Sequence, residues 1–302
     1  MNWKVLPQDD PRSQSLAKEL NLPLLIARLL LNRGLDSPAA VLEFLSPSLQ
    51  NLPSPDLMKD MDRAVARILK AIRGKERVAV YGDYDADGIT ATALLILFLS
   101  DLLPGLVYYI PHRVHEGYGL SPAGISRLQD QGVSLIITVD CGISNHSEIE
   151  LARDLGMEVI VTDHHQIPRK GPPEAAAVLN PKQEGCAFPF KDLAGVGVAF
   201  YLVIALRRTL DREGFFPEGK PNLRNYLDLV ALGTVADIVP LLGVNRILVR
   251  DGLDVLSRAG RVGFTALKKA CGLKPESFLS SVDLAFKLAP RLNALGRMQE
   301  AR

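Results

Sequence analysis

The sequence has little cysteine, no excess of charge of either sign and no long apolar run. Each lack closes off a class of protein. The three cysteines, Cys141, Cys186 and Cys271, are scattered and odd in number. No CxxC pair occurs, which removes a zinc ribbon and a disulfide frame and points to a reducing compartment, the cytoplasm. The formal net charge is +1, so no global basic field draws nucleic acid to the whole surface, and only a local groove could do so. The N-terminus lacks a charged-then-apolar signal pattern. The longest strongly apolar run, near residues 94–99, is far too short to span a bilayer, and no membrane partner is expected. No glycine-rich phosphate loop of the form GxxxxGK[ST] occurs, which argues against NTP-driven phosphoryl transfer. Internal repeats and low-complexity tracts do not stand out either.

What remains is an ordinary globular balance: 302 residues, 47% hydrophobic and 23% charged, enough for a full core and two lobes. Residues 15–32 are leucine-rich at helical spacing, and 38–45 form a second short helix. A proline-punctuated linker, "SPSLQNLPSPDLMKD", follows. Residues 61–73 are again helical, with Ala64, Ile68, Leu69 and Ile72 on one side.

The pattern then changes to short apolar strands alternating with helices. Strands are predicted over 77–81, 107–110, 135–139 and 158–162, with a short one at 176–179. Helices are predicted over 88–99, 122–131 and 145–155. Such alternation means βαβ units and a parallel sheet buried on both faces. Helices over 195–212, 222–232, 245–259 and 264–271 follow, and the chain finishes in a charged, helix-like run. The fold class expected is α/β: a doubly wound, mostly parallel sheet flanked by helices, with N-terminal and C-terminal helical segments.

The carboxyl ends of the strands carry the chemistry. In open α/β sheets, ligands bind beyond those ends. "VAVYGDYDADG" delivers Asp83, Asp85 and Asp87; "LIITVDCG" delivers Asp140; "EVIVTDHH" delivers Asp163, His164 and His165. Asp237, in "GTVADIVPL", lies in an apolar segment where a lone carboxylate is costly. Any one aspartate after a strand reads as a helix cap or turn former. Caps do not explain three aspartates at i, i+2, i+4 together with two further strand ends and a His–His pair.

If Asp83, Asp85, Asp87, Asp140 and Asp237 converge, their repulsion destabilises the fold unless something offsets it. No neighbouring run of lysine or arginine supplies the countercharge, whereas two divalent cations would neutralise all but one charge. Oxygen ligands with an imidazole suit Mn²⁺ first and Mg²⁺ next. His146 reads as a solvated or capping residue at a helix start, and His112 and His115 as loop residues outside any metal site. "GVGVAF" at Gly195 reads as a close helix contact or turn rather than a dinucleotide fingerprint. Two cations about 3.5–4 Å apart are suited to hydrolysis of a phosphate ester or anhydride.

"GDYDADG", "VDCG", "TDHH" and "GTVADIVPL", in this order, resemble the four motifs of the DHH phosphoesterase family. Three further runs, "YYIPHRVHEGYGL", "VLNPKQEGCAFPFKDLAGVGVAF" and "LAPRLNALGR", are similar to its bacterial single-strand-specific 5′→3′ exonucleases. The likeness extends from about Met61 to the end. It implies that Asp83 and Asp85 bind one metal ion, that Asp87, His164 and Asp237 bind a second, and that Asp140 bridges both. His165 would contact the scissile phosphate, and Asp163 would orient the histidine pair. Arg113 would hold a terminal 5′-phosphate with its planar fork; the alternative is a surface-loop arginine.

The implied substrate is single-stranded DNA, with a helicase and a single-strand-binding protein as partners. The implied division is 1–58 as helical segment and linker, 59–240 as catalytic α/β domain, and 241–302 as a helical extension towards a second domain that the sequence lacks. Two other readings are an enzyme for short oligonucleotides, cyclic dinucleotides or pyrophosphate, and a metal-binding, non-catalytic replication or repair module.

Overall fold

The computed structural model describes residues 11–258 and 260–298. Two expectations therefore fall partly outside the described residues: the end of the 245–259 helix, at Ala259, and the charged terminus, at 299–302. Contacts divide the chain into two units, Met1–Asn51 and Leu52–Arg302.

The first unit holds three short helices, α1 (Pro11–Leu20), α2 (Leu24–Leu31) and α3 (Pro38–Leu45). Leu16, Ala27, Leu30 and Val41 form its small core. A single helix over 15–32 is not what forms. Asn21 turns left-handed at φ 51° and Pro23 precedes α2, so the chain breaks between two leucine-rich faces. Ser37 caps α3 by accepting from the Ala40 amide, with Pro38 in the first turn.

The second unit begins with α4 (Met61–Gly74), whose buried residues fall at helical spacing. It continues through β1 (Val78–Gly82), α5 (Ala86–Leu99), β2 (Val107–Tyr109), α6 (Pro122–Asp130), β3 (Leu135–Val139), α7 (His146–Asp154), β4 (Glu158–Thr162) and β5 (Ala177–Leu179). All four strand pairings are parallel, in the order β2-β1-β3-β4-β5. Side chains alternate along each strand. Ala79, Tyr81, Ile136, Val159 and Val161 meet Ile125 and Leu128 of α6 and Ile149 and Ala152 of α7 on one face. On the other face α4, α5 and α8 (Gly195–Arg212) cover the sheet. Burial on both sides explains why β1 and β3 read as nearly unbroken apolar runs.

The strand order changes direction between β1 and β3, with α5 on one face and α6 and α7 on the other. That geometry opens a crevice at the carboxyl ends of these two central strands. Among the described residues the remaining α-helices are α9 (Leu227–Ala236), α10 (Gly243–Arg258), α11 (Val262–Ala270), the short α12 (Ser281–Asp283) and α13 (Ala289–Met298), with a π-helical turn, Leu284–Leu288, joining the last two. A 3₁₀ turn, Leu223–Tyr226, occupies the start of the helix expected over 222–232. Among the described residues, no helix is long and apolar enough to cross a membrane.

Candidate metal centre

The crevice is where the acidic residues collect. Asp83 follows β1, and Asp85 is the N-cap of α5, its Oδ1 accepting from the amides of Asp87 (2.9 Å) and Gly88 (3.0 Å). The helix expected from residue 88 therefore begins at Ala86, because the Asp85 carboxylate satisfies its first turn. Asp140 follows β3 in the left-handed region, φ 60°, which aspartate tolerates better than most residues. Asp163, His164 and His165 follow β4, and Asp237 is the C-cap of α9.

Their donor atoms converge. One atom each from Asp83, Asp85 and Asp140 lie within 4.8 Å of one another, as do atoms from Asp87, His164 and Asp237, and from Asp140, His164 and His165. His164 Nε2 is 3.1 Å from Asp140 Oδ1 and 3.6 Å from Asp237 Oδ2. It is not aligned with either as a hydrogen bond: Asp83 Oδ1, Asp140 Oδ1 and His164 Nε2 are buried with no hydrogen-bond partner. Buried polar atoms without partners are uncommon and need an explanation, and a bound ion is one. A cluster of orphaned carboxylate oxygens and an imidazole nitrogen is chemically matched to Mn²⁺ or Mg²⁺.

Electrostatics give the same picture. Burial, followed by repulsion from Asp85, pushes Asp83 up to about 7. Burial and the same neighbour push Asp237 up to about 6. Asp87 is raised by burial and by Asp237, and Asp140 by burial and by Asp87. His164 is held down at about 4, chiefly by burial and then by the neighbouring His165, so at neutral pH it is an uncharged donor.

Asp163 has a different job. Its Oδ2 accepts from the Ile143 amide, and its Oδ1 accepts from the amides of His164 and His165. Its Oδ1 is also 2.7 Å from His165 Nδ1. Burial alone would raise Asp163, but these donors hold it below the ordinary carboxylate range. The same hydrogen bond raises His165 above the ordinary imidazole range. With Nδ1–H engaged by Asp163, Nε2 is the nitrogen left for a ligand.

Several contributors are not evident from the motifs. The Tyr118 hydroxyl lies 3.0 Å from His165 Nδ1 and donates to the Asp140 carbonyl at 3.0 Å. Lys182 Nζ donates to the His164 carbonyl and Asn180 Nδ2 to the His165 carbonyl. The start of α8 donates to Asp87, from the Gly195 amide at 2.6 Å and the Val196 amide at 2.9 Å. The signal for Tyr118 was its place in "HEGYGL"; the backbone donors of α8 have no sequence signal beyond the glycines.

Gly195 is where "GVGVAF" makes its close approach. A Cβ there would stand 2.6–2.8 Å from the Asp140 carboxylate and Cβ. Gly195→Ala is expected to weaken Mn²⁺ binding by about 10-fold or more, read by calorimetric titration, with the far-ultraviolet circular dichroism unchanged.

Arg113 is exposed, its guanidinium 5.1 Å from the centre of the Tyr84 ring and close enough to Asp83 to offset a small part of that carboxyl's rise. His112 and His115 face each other with ring centres 4.4 Å apart, and neither they nor His146 joins any of the three donor groups.

Comparison with known proteins agrees with this architecture. The chain is 40% identical over 301 residues to the single-stranded-DNA-specific exonuclease RecJ of Bacillus subtilis, covering 100% of this chain and 36% of that protein. It is 45% identical over 285 residues to RecJ of Escherichia coli, covering 92% of this chain and 48% of that one. The crystal structure of RecJ in complex with Mn²⁺ from Thermus thermophilus superposes with a TM-score of 0.76 at 34% identity, over 96% of this chain and 40% of that chain. The chain thus spans less than half the length of these relatives. The profile of the DHH family, N-terminal domain, matches residues 77–234, and the chain belongs to that family.

Proposed function

We propose that the chain is the catalytic core of a metal-dependent phosphodiesterase that shortens single-stranded DNA from its 5′ end and releases nucleoside 5′-monophosphates. The observation that carries this reading is the convergence of five carboxylates and an imidazole, of which Asp83, Asp140 and His164 have buried donor atoms with no hydrogen-bond partner. The activity named for the RecJ relatives and the manganese in the Thermus structure support it.

Asp83 and Asp85 would hold one divalent cation, Asp87, His164 and Asp237 a second, and Asp140 would serve both, with Mn²⁺ preferred over Mg²⁺. When bound, the pair supplies Lewis acidity to the phosphodiester and lowers the pKa of water. The chain's own residues do the rest. His165, anchored through Nδ1 to Asp163, presents Nε2 to a phosphate oxygen and donates to it when charged. Asp163 fixes the ring and its charge. Arg113, resting on Tyr84, offers the planar fork that suits a terminal 5′-phosphate. The backbone of α8 holds Asp87 in place without adding another charge.

The reading extends to a cytoplasmic enzyme that works with a helicase and a single-strand-binding protein. It keeps the division at 58/59 and 240/241, with the catalytic domain between.

One experiment tests it: a single-stranded DNA with a 5′ phosphate and different labels at its two ends, followed over time with Mn²⁺. Early release of the 5′ label as a mononucleotide, while the 3′ label stays on long strands, is the expected result. Both labels remaining on full-length strand would overturn the claim that these 302 residues degrade DNA.

A further inference from the structure

Helix α5 carries Asp85 at its cap and Asp87 in its first turn, so whatever fixes its start also fixes two of the candidate metal donors. A helix N-terminus leaves its first backbone amides without intrahelical partners. Here those of Ala86, Asp87 and Gly88 are accounted for. The Asp87 and Gly88 amides go to Asp85 Oδ1, and the Ile89 amide goes to the Asp85 carbonyl at 2.8 Å. The Ala86 amide, on a residue only 1% exposed, goes to a side chain far along the chain, Asn293 Oδ1, at 2.8 Å.

This last bond decides what Asp85 is free to do. Its Oδ1 already serves two amides. A third buried amide without an acceptor would compete for the same carboxylate and draw its other oxygen away from the cluster. With Ala86 served by Asn293, Asp85 Oδ2 stays available. The choice of residue is informative as well. The positive end of a helix favours a carboxylate at this position, yet the acceptor is a neutral amide. An aspartate would add one more negative charge beside Asp83, Asp85 and Asp87, two of which already have raised pKa values. Asn293 lies on α13, which packs against both α5 and α9. Those are the helices whose ends carry Asp85 and Asp87 on one side and Asp237 on the other.

We infer that Asn293 is a positioning residue: by capping α5 from α13 it holds Asp85 in the geometry the metal centre needs. The inference rests on the proposed role of Asp85 as a metal donor.

The test is calorimetric titration of Mn²⁺ into the metal-free chain and three variants, with melting curves of each. Asn293→Ala is expected to weaken Mn²⁺ binding by about 10-fold or more, whereas Asn293→Asp, which keeps the acceptor, stays within about threefold. Asn293→Asp is also expected to melt lower than the unaltered chain without metal, and to gain more from Mn²⁺, because it adds a charge that a cation offsets. Ser280→Ala removes the capping box of α12 and controls for a cap lost elsewhere; it is expected to lower melting and leave Mn²⁺ affinity alone. Unchanged affinity in Asn293→Ala would reduce Asn293 to a packing residue and overturn the inference. If the alanine variant does not fold, Asn293→Asp decides: Mn²⁺ binding weakened by about 10-fold or more although the acceptor is kept would overturn it. Failure of the unaltered chain to bind Mn²⁺ would instead sink the metal-centre reading itself.

Discussion

Asp140→Asn is expected to make the metal-free protein more stable than the unaltered chain and the manganese-loaded protein less stable. Asp140 is 2% exposed, its Oδ1 has no hydrogen-bond partner, and Asp87, Asp85, Asp163 and Asp83 all repel its charge. Asparagine keeps the volume and accepts the left-handed backbone at φ 60°, so it removes the charge with little strain. Relief of about 1 kcal/mol raises melting by about 2–4 °C in a unit of this size. With Mn²⁺ at 100 times its dissociation constant, the unaltered chain gains about 2.7 kcal/mol, or about 5–10 °C, and the variant loses most of that gain. Cleavage of single-stranded DNA is expected to fall by about 10²–10³-fold. Melting curves with chelator and with Mn²⁺ provide the check. A variant that keeps the full Mn²⁺ shift would remove Asp140 from the centre.

The second large effect is on pH. Asp83, with a folded value of about 7, and Asp237, at about 6, both lie above their value of 3.8 in an unfolded chain; Asp87 and Asp140 are raised as well. The folded, metal-free protein therefore holds protons that the unfolded chain has released. The stability these groups contribute is complete below about pH 4 and is lost as pH rises through their folded values. His164 works in the opposite sense, since its folded value of about 4 lies below the ordinary 6.5. Within the cluster His164 is set against four carboxylates and against His165, whose raised value acts in their sense, so the metal-free protein is expected to melt lower at pH 8 than at pH 5.5. Mn²⁺ displaces those protons, so its affinity is expected to rise over the same range, with proton release that is larger at pH 6 than at pH 8. Titrations in two buffers of different ionisation enthalpy count the protons. Equal release at both pH values would mean that the carboxylates are already ionised without metal.

Much of this is legible in the sequence because it rests on local rules. β3 and β4 occupy the residues predicted, since their apolar runs are bounded by turn residues and buried on both faces. α8 runs over 195–212 as its periodicity requires. The break between α1 and α2 escapes a reading by spacing because leucines continue across Pro23, and a proline outweighs spacing. α5 starts two residues before its predicted first residue because Asp85 is a cap as well as a candidate ligand, its two oxygens being able to serve both ends. The acidic residues can be named from the strand ends. The α8 amides on Asp87, the Lys182 bond to the His164 carbonyl and the Asn293 bond to Ala86 cannot. These are contacts between distant segments, made by backbone groups or by side chains with no charge pattern to mark them.

The order of the strands has a consequence for how the protein comes into being. Asp83 and Asp237 stand at opposite ends of the α/β layer in sequence, and Asp140 and His164 lie between them on separate crossovers. No contiguous fragment of that layer carries both donor groups, and the sheet must close in register before they meet. A nascent, clipped or half-unfolded chain is thus a set of scattered acids with no common place for a cation. The candidate metal centre arrives only with the finished tertiary structure, which confines it to intact molecules.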